Sequence, residues 1–251
     1  MPRLTTSRKL SIVKAKRSEG SHSSYYFLPL IKGENMATKT EKKETLRTQI
    51  IDAAKIYSKE LAGKVFLYVV GNEYFEVSFP VDHFLHLTGV ESQLSAKNFY
   101  TKSKDGILSD RQFYFSPKHP YDGAKKKLPC LKRLPDLTSG FVCVLKETQT
   151  VSIVYKLSVT NLEFTLGLTE NIDAQGNKIN DIYLPRTLRV KDRSIENSLG
   201  GDVVDFIFKK EASTTRYTEL VVADEKKVLP DCLYGIVADC FFEHDEPKGK
   251  S

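Results

Sequence analysis

The 251-residue chain is short of cysteine, of long apolar runs and of metal or phosphate motifs, and each shortage excludes a class of protein. Its four cysteines show no C-x-x-C spacing, which argues against zinc ribbons and thioredoxin-like sites. Such cysteine usage is typical of a mostly reduced, cytoplasmic chain. The longest apolar runs, such as Val65–Val70, are far shorter than the about 20 residues of a membrane-spanning helix. We therefore expect no membrane partner.

The sequence also lacks the motifs by which many enzymes hold a cofactor. It shows no glycine-rich phosphate loop, nucleophile elbow or zinc signature, and its five histidines form no H-E-x-x-H. Metal-carboxylate nuclease motifs are not evident either. If the chain is an enzyme, we expect it to work without a cofactor and without a metal.

Net charge is low outside the N-terminus. The formal charge is +6, but residues 1–35 hold seven of the 38 basic and only two of the 32 acidic residues. The remaining 31 basic residues face 30 acidic ones. Any basic binding surface must therefore come from local clustering and not from bulk charge.

Residues 1–35 are rich in serine and show no helical or strand period, so we interpret them as a disordered basic leader. Lys32-Gly33-Glu34-Asn35 is what a purine-rich ribosome-binding site encodes when it is translated in frame. Met36 is then the native start, and the leader is not translated natively. The alternative is a disordered arm. We expect a single α+β domain over 36–242 and a polar tail over 243–251.

The first half of this domain reads as helix and hairpin. Thr38 with Glu41 fits a capping box, and apolar residues at helical spacing predict a helix over 39–62. Two β-rich runs, 64–70 and 74–79, predict a hairpin. Three shorter predictions follow: a helix capped by Ser95 and running to Lys104, a short element at 113–115, and, despite Pro135, a short helix over 128–137.

Residues 116–127 have the composition of a loop. Its Lys125–Lys127 run could contact phosphate, although a solvated lysine patch is the more common explanation. From Gly140 onward the pattern favours strands, with a hairpin tip at 173–177 and a turn at 197–202. Helices first and strands later indicate an α+β fold with a mostly antiparallel, curved sheet. The predicted strands are 141–145, 151–157, 162–168, 181–190, 203–209 and 217–222.

One histidine stands inside the apolar stretch Phe84–Gly89. Because the unperturbed pKa of histidine lies closest to neutrality, His86 is a candidate for proton transfer, although a histidine in an apolar run is more often structural. His83 lies three residues earlier. In a helical turn the two side chains would share one face, whereas in a strand they would point to opposite faces. His119, in the predicted loop, is expected to be exposed.

Two later stretches, 183–188 and 203–217, offer polar partners. Arg186 follows a proline and could bind phosphate or merely cap a sheet edge. Lys209 alternates with apolar residues and could be a solvated strand residue. Tyr217 follows an arginine at the end of the second stretch.

Phe84–Gly89, together with Ser95–Tyr100, resembles the fourth class of phage-associated nucleases similar to barnase, EndoU, colicin and RelE toxins. The resemblance covers roughly residues 45–225 and includes the preceding helix and hairpin, while 183–188 and 203–217 match more loosely. It implies a metal-independent RNase without a cofactor. It also implies a small β-sheet that carries the site, with helices in front of it.

Such an RNase lets the 2′-hydroxyl of the RNA attack the adjacent phosphorus. The resemblance implies that His86 transfers protons, which typically accelerates a reaction ~10²–10⁴-fold. Arg186 would stabilise the phosphoryl oxygens through a bidentate contact and Lys209 as a point charge.

Four further residues would assist. Thr88 and Thr187 would hydrogen-bond the phosphate or orient the histidine, and Lys97 in the matched segment would contact the substrate. Tyr217 would donate a proton or stack on a base.

The alternative to an RNase-like phage toxin or accessory factor is a catalytically inactive binding or inhibitor protein of phage–host conflict on the same scaffold. A phage structural or regulatory module is a third interpretation. The expected partners are RNA, and a protein inhibitor or a host or phage factor. A near-neutral body favours the binding interpretation, because RNA binders usually show a basic face. Convergence of His86, Arg186 and Lys209 on one cleft would favour the nuclease.

Overall fold

The computed structural model describes residues 38–149, 154–190 and 199–242. These residues lie within one compact unit that begins at Ala37. The predicted leader, the Met36 start and the polar tail lie outside the described residues, as do the first residues of the strand predicted at 151–157 and part of the turn predicted at 197–202.

The first helix, α1, spans Lys39–Glu60 and begins at the predicted capping box. The Thr38 N–H donates to Glu41 Oε2 at 2.6 Å, and the Glu41 N–H donates to Thr38 Oγ1 at 3.2 Å. The apolar side chains that predicted the helix form its buried face against the sheet and the later helices. They are Leu46, Ile50, Ala53, Ala54, Tyr57 and Leu61.

The predicted hairpin is confirmed as β1 (Lys64–Val70) and β2 (Glu73–Ser78). A 3₁₀ turn, Val81–His83, follows and leads directly into the short helix α2 (Phe84–Thr88). His83 and His86 therefore lie in consecutive helical turns, and their ring centroids are 6.4 Å apart.

Short elements come next. They are β3 (Glu91–Ser92), α3 (Ala96–Lys104) and β4 (Phe113–Tyr114), and β3 pairs with β4 in a separate two-stranded sheet. The Ser95 hydroxyl accepts from the Asn98 N–H at 3.3 Å, so the predicted cap of α3 is confirmed.

The loop predicted over 116–127 is wrong from Tyr121 onward. Helix α4 spans Tyr121–Lys132, and α5 follows at Asp136–Ser139, so the helix predicted over 128–137 is wrong in its bounds. Glycine, lysines and prolines suggested a loop. Ala124, Leu128 and Leu131, at helical spacing, are instead buried in the same core as α1, and this packing outweighs local composition.

The remaining strands join the hairpin in one open nine-stranded sheet. In sheet order the strands are β11-β10-β1-β2-β8-β7-β6-β5-β9, and every neighbouring pair is antiparallel except β2–β8. The predicted α+β class with a mostly antiparallel sheet is confirmed, as is the hairpin tip at 173–177. The strands are β5 (Cys143–Gln149), β6 (Val154–Thr160), β7 (Phe164–Ile172), β8 (Lys178–Val190), β9 (Leu199–Val203), β10 (Phe206–Glu211) and β11 (Glu219–Ala223).

Residues 199–202, predicted as a turn because of two glycines, are instead part of the edge strand β9, which pairs with β5 through Leu199, Asp202 and Val203. The larger core fills the space between the helices and one face of the sheet. A smaller core on the other face joins Leu67 and Phe208 to Tyr217, Leu233 and Val237.

Candidate active site

The candidate site lies where β8 separates from β2. The parallel pairing of these strands covers only Glu76 with Ile182 and Val77 with Tyr183. Beyond it, the Pro185 carbonyl oxygen lies 2.7 Å from Nδ1 of the half-buried His83. His83, in the 3₁₀ turn, therefore hydrogen-bonds a carbonyl of β8 that lies two residues past the last residue paired with β2.

This contact determines the state of the His83 ring. A carbonyl oxygen only accepts hydrogen bonds, so Nδ1 carries the proton and donates it. Nε2 is then the nitrogen left to exchange a proton with a ligand, whether the ring is neutral or protonated.

Arg186 is presented to solvent by a β-bulge. Leu168 pairs with Pro185 and Gly167 pairs with Thr187, so Arg186 is an extra residue between two consecutive ladder positions. Bulges re-aim side chains. A proline, which lacks an N–H, is tolerated at a bulge because the hydrogen-bond ladder is interrupted there. The exposed Arg186 side chain lines the same cavity as His83.

The cavity is open and has a volume of about 520 Å³, within the range of small-molecule sites. At its wall, Lys156 Nζ lies 3.3 Å from a carboxylate oxygen of Glu170. Its polar lining residues are His83, Tyr155, Lys156, Thr169, Glu170, Tyr183 and Arg186.

His86 is exposed on α2 and belongs to the same electrostatic group. Loss of hydration lowers its pKa below the ordinary value, and the positive charges of Arg186, His83 and His119 lower it further. Asp82 opposes this shift. The imidazole is therefore kept neutral, and able to accept a proton, at neutral pH.

His119 is the member of this group that the sequence did not predict. It is half-buried, in a turn where its N–H donates to the Ser116 carbonyl at 3.1 Å and the Ser116 N–H donates back to its carbonyl at 3.1 Å. Only the fold brings this turn to His86, more than thirty residues away. No spacing or motif in the sequence indicates that approach.

A second pair of positive charges continues along β8. Lys127 is half-buried on α4, and loss of hydration lowers its pKa, with a further contribution from Arg189 on β8. Lys127 lies beside Gly89 at the end of α2, since a Cβ on that glycine would lie 3.0 Å from Lys127 Cδ. Lys127 and Arg189 are thus an example of local clustering of basic residues in a chain whose overall charge outside residues 1–35 is near neutral.

The predicted threonines and Lys97 have other positions. Thr88 is fully buried; its hydroxyl donates to the Leu85 carbonyl at 2.7 Å and accepts from the Val90 N–H at 3.3 Å, so it ends α2 and does not face the cavity. Thr187 is half-buried beside Arg186, and its methyl group packs over Gly167. Lys97 is exposed on α3 and is not part of the cavity wall.

Lys209 and Tyr217 lie apart from the cavity. Lys209 is in register with Tyr183 but three strands away, about 14 Å at the usual strand spacing, and its Nζ lies 2.6 Å from Glu219. Tyr217 is fully buried in the smaller core, where its hydroxyl donates to Glu76 at 2.5 Å. Of the three residues expected to converge on one cleft, only Arg186 lines the cavity, where His83 joins it. His86 lies one helical turn from His83 but is not part of the cavity wall, and neither is His119.

Among the described residues, no group of three or more His, Cys, Asp or Glu is placed to hold a metal ion. Within the same residues, no helix has both the length and the apolar character needed to cross a membrane.

The resemblance implies a small β-sheet that carries the site, whereas the described residues form a large sheet of nine strands, with Arg186 on its strand β8 next to the turn that holds His83. The chain belongs to the family described as phage-Barnase-EndoU-ColicinE5/D-RelE like nuclease 4, whose model matches residues 49–226. No curated protein and no solved structure matches the chain. The chain is therefore a member of a nuclease family, for which a nucleic acid is the expected substrate.

Proposed function

We propose that this member of the nuclease family is a metal-independent endoribonuclease whose reacting group is His83, His86, His119 and Arg186. The single observation that carries the proposal is that His83 and Arg186 line one open cavity, with the His86 ring centroid 6.4 Å from that of His83. This group contains two of the side-chain types needed for RNA cleavage, proton-transferring imidazoles and a phosphate-binding guanidinium.

The lowered pKa of His86 assigns it the role of base. Its neutral imidazole takes the proton of the 2′-hydroxyl as the 2′-oxygen attacks phosphorus. The bond from phosphorus to the 5′-oxygen breaks, and the products are a 2′,3′-cyclic phosphate and a 5′-hydroxyl.

His83 supplies the proton that the departing 5′-oxygen takes. Its ring is held through Nδ1 by the Pro185 carbonyl, which leaves Nε2 to donate. The ring centroids of the two histidines are 6.4 Å apart, so both rings can reach oxygens of one phosphodiester from the same side. Arg186 adds positive charge where negative charge develops on the phosphoryl oxygens.

RNA degradation by the purified protein in EDTA tests this proposal. His83→Gln and His86→Gln should each lower the rate roughly 10²- to 10⁴-fold, the usual contribution of a proton-transferring side chain. Arg186→Gln should lower kcat/KM by a similar factor, because the bidentate phosphate contact is lost. Lys55→Gln, at an exposed position of α1, is the matched control and should retain the full rate.

Full activity of the His83→Gln and His86→Gln proteins would remove the proton-transfer roles. A clean protein that binds RNA but cleaves none of a broad set would favour the catalytically inactive binding or inhibitor protein. The toxin or accessory role, a cognate protein inhibitor and a cytoplasmic location stay predictions that rest on the resemblance and on cysteine usage.

A further inference from the structure

A second cavity lies beside the reacting group and has no role in the chemistry above. Its volume is about 450 Å³, and it opens between the first turns of α1 and the segment 114–121. Its lining residues are two lysines and three aromatic side chains: Lys42, Lys43, Tyr114, Phe115 and Tyr121.

The aromatic wall is both exposed and held in place. Tyr114 is 41% exposed, and its backbone is held on β4 by pairing with Glu91 of β3. Phe115 and Tyr121 meet edge to face, with ring centroids 5.4 Å apart. Aromatic rings that are held this way and open to solvent are the surfaces on which unpaired bases stack.

Positive charge surrounds this wall. Lys42 is exposed, and Lys43 Nζ lies 5.0 Å from the centroid of the Phe113 ring, a cation–π contact that fixes the ammonium group at the cavity. Lys125 is exposed one helical turn after Tyr121, on the same face of α4.

The acidic side chains on this part of α1 have partners of their own. Glu41 accepts from the Thr38 N–H, and Glu44 pairs with Arg47 at 2.5 Å. Neither Lys42 nor Lys43 forms an ion pair with these two carboxylates.

The segment that lines the cavity also carries one histidine of the reacting group. His119 belongs to the segment 114–121, and its Cα lies within about 7 Å of the Tyr121 Cα, the greatest span of two residues. One segment therefore carries the third histidine and most of the aromatic wall.

We propose that this cavity is a nucleobase subsite for single-stranded RNA, placed next to the cleavage position. A base stacks on Tyr114 and Tyr121 while Lys42 and Lys43 bind the neighbouring phosphates. This inference rests on the proposed function and extends it, because it specifies an unpaired strand longer than two nucleotides as the substrate.

Cleavage of two substrates tests the subsite: a dinucleotide, which is too short to fill it, and a single strand of roughly ten nucleotides, within the usual site size of such proteins. Tyr114→Ala and Tyr121→Ala should lower kcat/KM for the longer strand roughly 5- to 100-fold, as expected for the loss of one stacked base. Dinucleotide cleavage should not change. Tyr114→Phe keeps the ring and should retain most of the native kcat/KM for the longer strand. Tyr234→Ala removes an exposed aromatic side chain on the C-terminal segment and should have the native kcat/KM.

Equilibrium binding of the same fluorescent strand separates this inference from the proposed function, because it needs no cleavage. Lys43→Gln should weaken binding several-fold at low salt and Lys55→Gln should not. The subsite would be overturned if Tyr114→Ala and Tyr121→Ala bound the single strand as tightly as the native protein. It would also be overturned if an RNA duplex bound as tightly as the single strand, or if these variants lost kcat/KM equally on the dinucleotide and the longer strand.

Discussion

At His86, two influences lower the pKa of the imidazole: loss of hydration and the positive charges of Arg186, His83 and His119. The second influence can be removed without touching the histidine. The pKa of His86 therefore measures whether this group assembles in solution, independently of any activity.

Arg186→Gln should raise the pKa of His86, because one nearby positive charge that disfavours the imidazolium is gone. NMR titration of the histidine ring protons measures this shift directly. The acid limb of the pH–rate profile, which reports deprotonation of the base, should move to higher pH in the same direction.

Lys209→Gln is the matched control for this titration. Lys209 lies three strands from the start of the β8 edge, so the pKa of His86 should stay where it is in the native protein. An unmoved pKa in Arg186→Gln would separate Arg186 from the reacting group.

The sequence predicts the site role of some residues better than that of others. His86 was indicated by its apolar surroundings and the resemblance, and His83 by the helical alternative that the structure adopts. Arg186 was named, but its exposure depends on a bulge that arises only when β7 pairs with β8. Tyr217 was misjudged because its burial depends on a C-terminal segment from another part of the chain.

At the scale of elements, α2 is ended by a glycine that two constraints require. Gly89 has φ +75°, and a Cβ there would lie 3.0 Å from Lys127 Cδ and 3.4 Å from the Ala124 Cα. The first constraint is backbone strain, and the second is the close approach of α4.

Gly89→Ala should lower the free energy of unfolding by more than the roughly 1–2 kcal/mol of left-handed strain, because the Lys127 side chain on α4 must also move away. Gly176→Ala is the matched control: its φ is +86°, but nothing lies within 4 Å of its Cβ position, so only the strain remains. Chemical denaturation of the two variants measures the difference. Equal losses would mean that α4 does not pack against Gly89.

Elements with strong local signals were predicted well. Thr38 and Ser95 provide capping hydrogen bonds within three residues, so α1 and α3 could be located from sequence alone. Helix α4 could not, because its composition is that of a loop and its stability comes from burial of Ala124, Leu128 and Leu131.

At the scale of the whole molecule, the near-neutral composition makes salt dependence informative. Outside residues 1–35 the basic residues exceed the acidic ones by one, so long-range attraction of RNA should be weak. The salt dependence of RNA binding should then reflect the phosphates bound at the clustered charges.

Binding of a single-stranded RNA between 50 and 200 mM salt, conditions in which phosphate contacts are usually compared, should weaken with a slope of about −0.7 per phosphate contact. Arg186→Gln should reduce that slope by about one contact, whereas Lys55→Gln should leave it unchanged. A slope near zero in the native protein would argue that the cluster does not bind phosphate.

The hydrogen bond between His83 and Pro185 joins positions 102 residues apart. During synthesis at 5–20 residues per second, the ribosome adds Pro185 roughly 5–20 s after it adds His83. The bulge that presents Arg186 also needs β7 in place. A ribosome making this protein is thus exposed to a nascent chain whose proposed reacting group is still incomplete, and that group is completed only after most of the sheet has been translated.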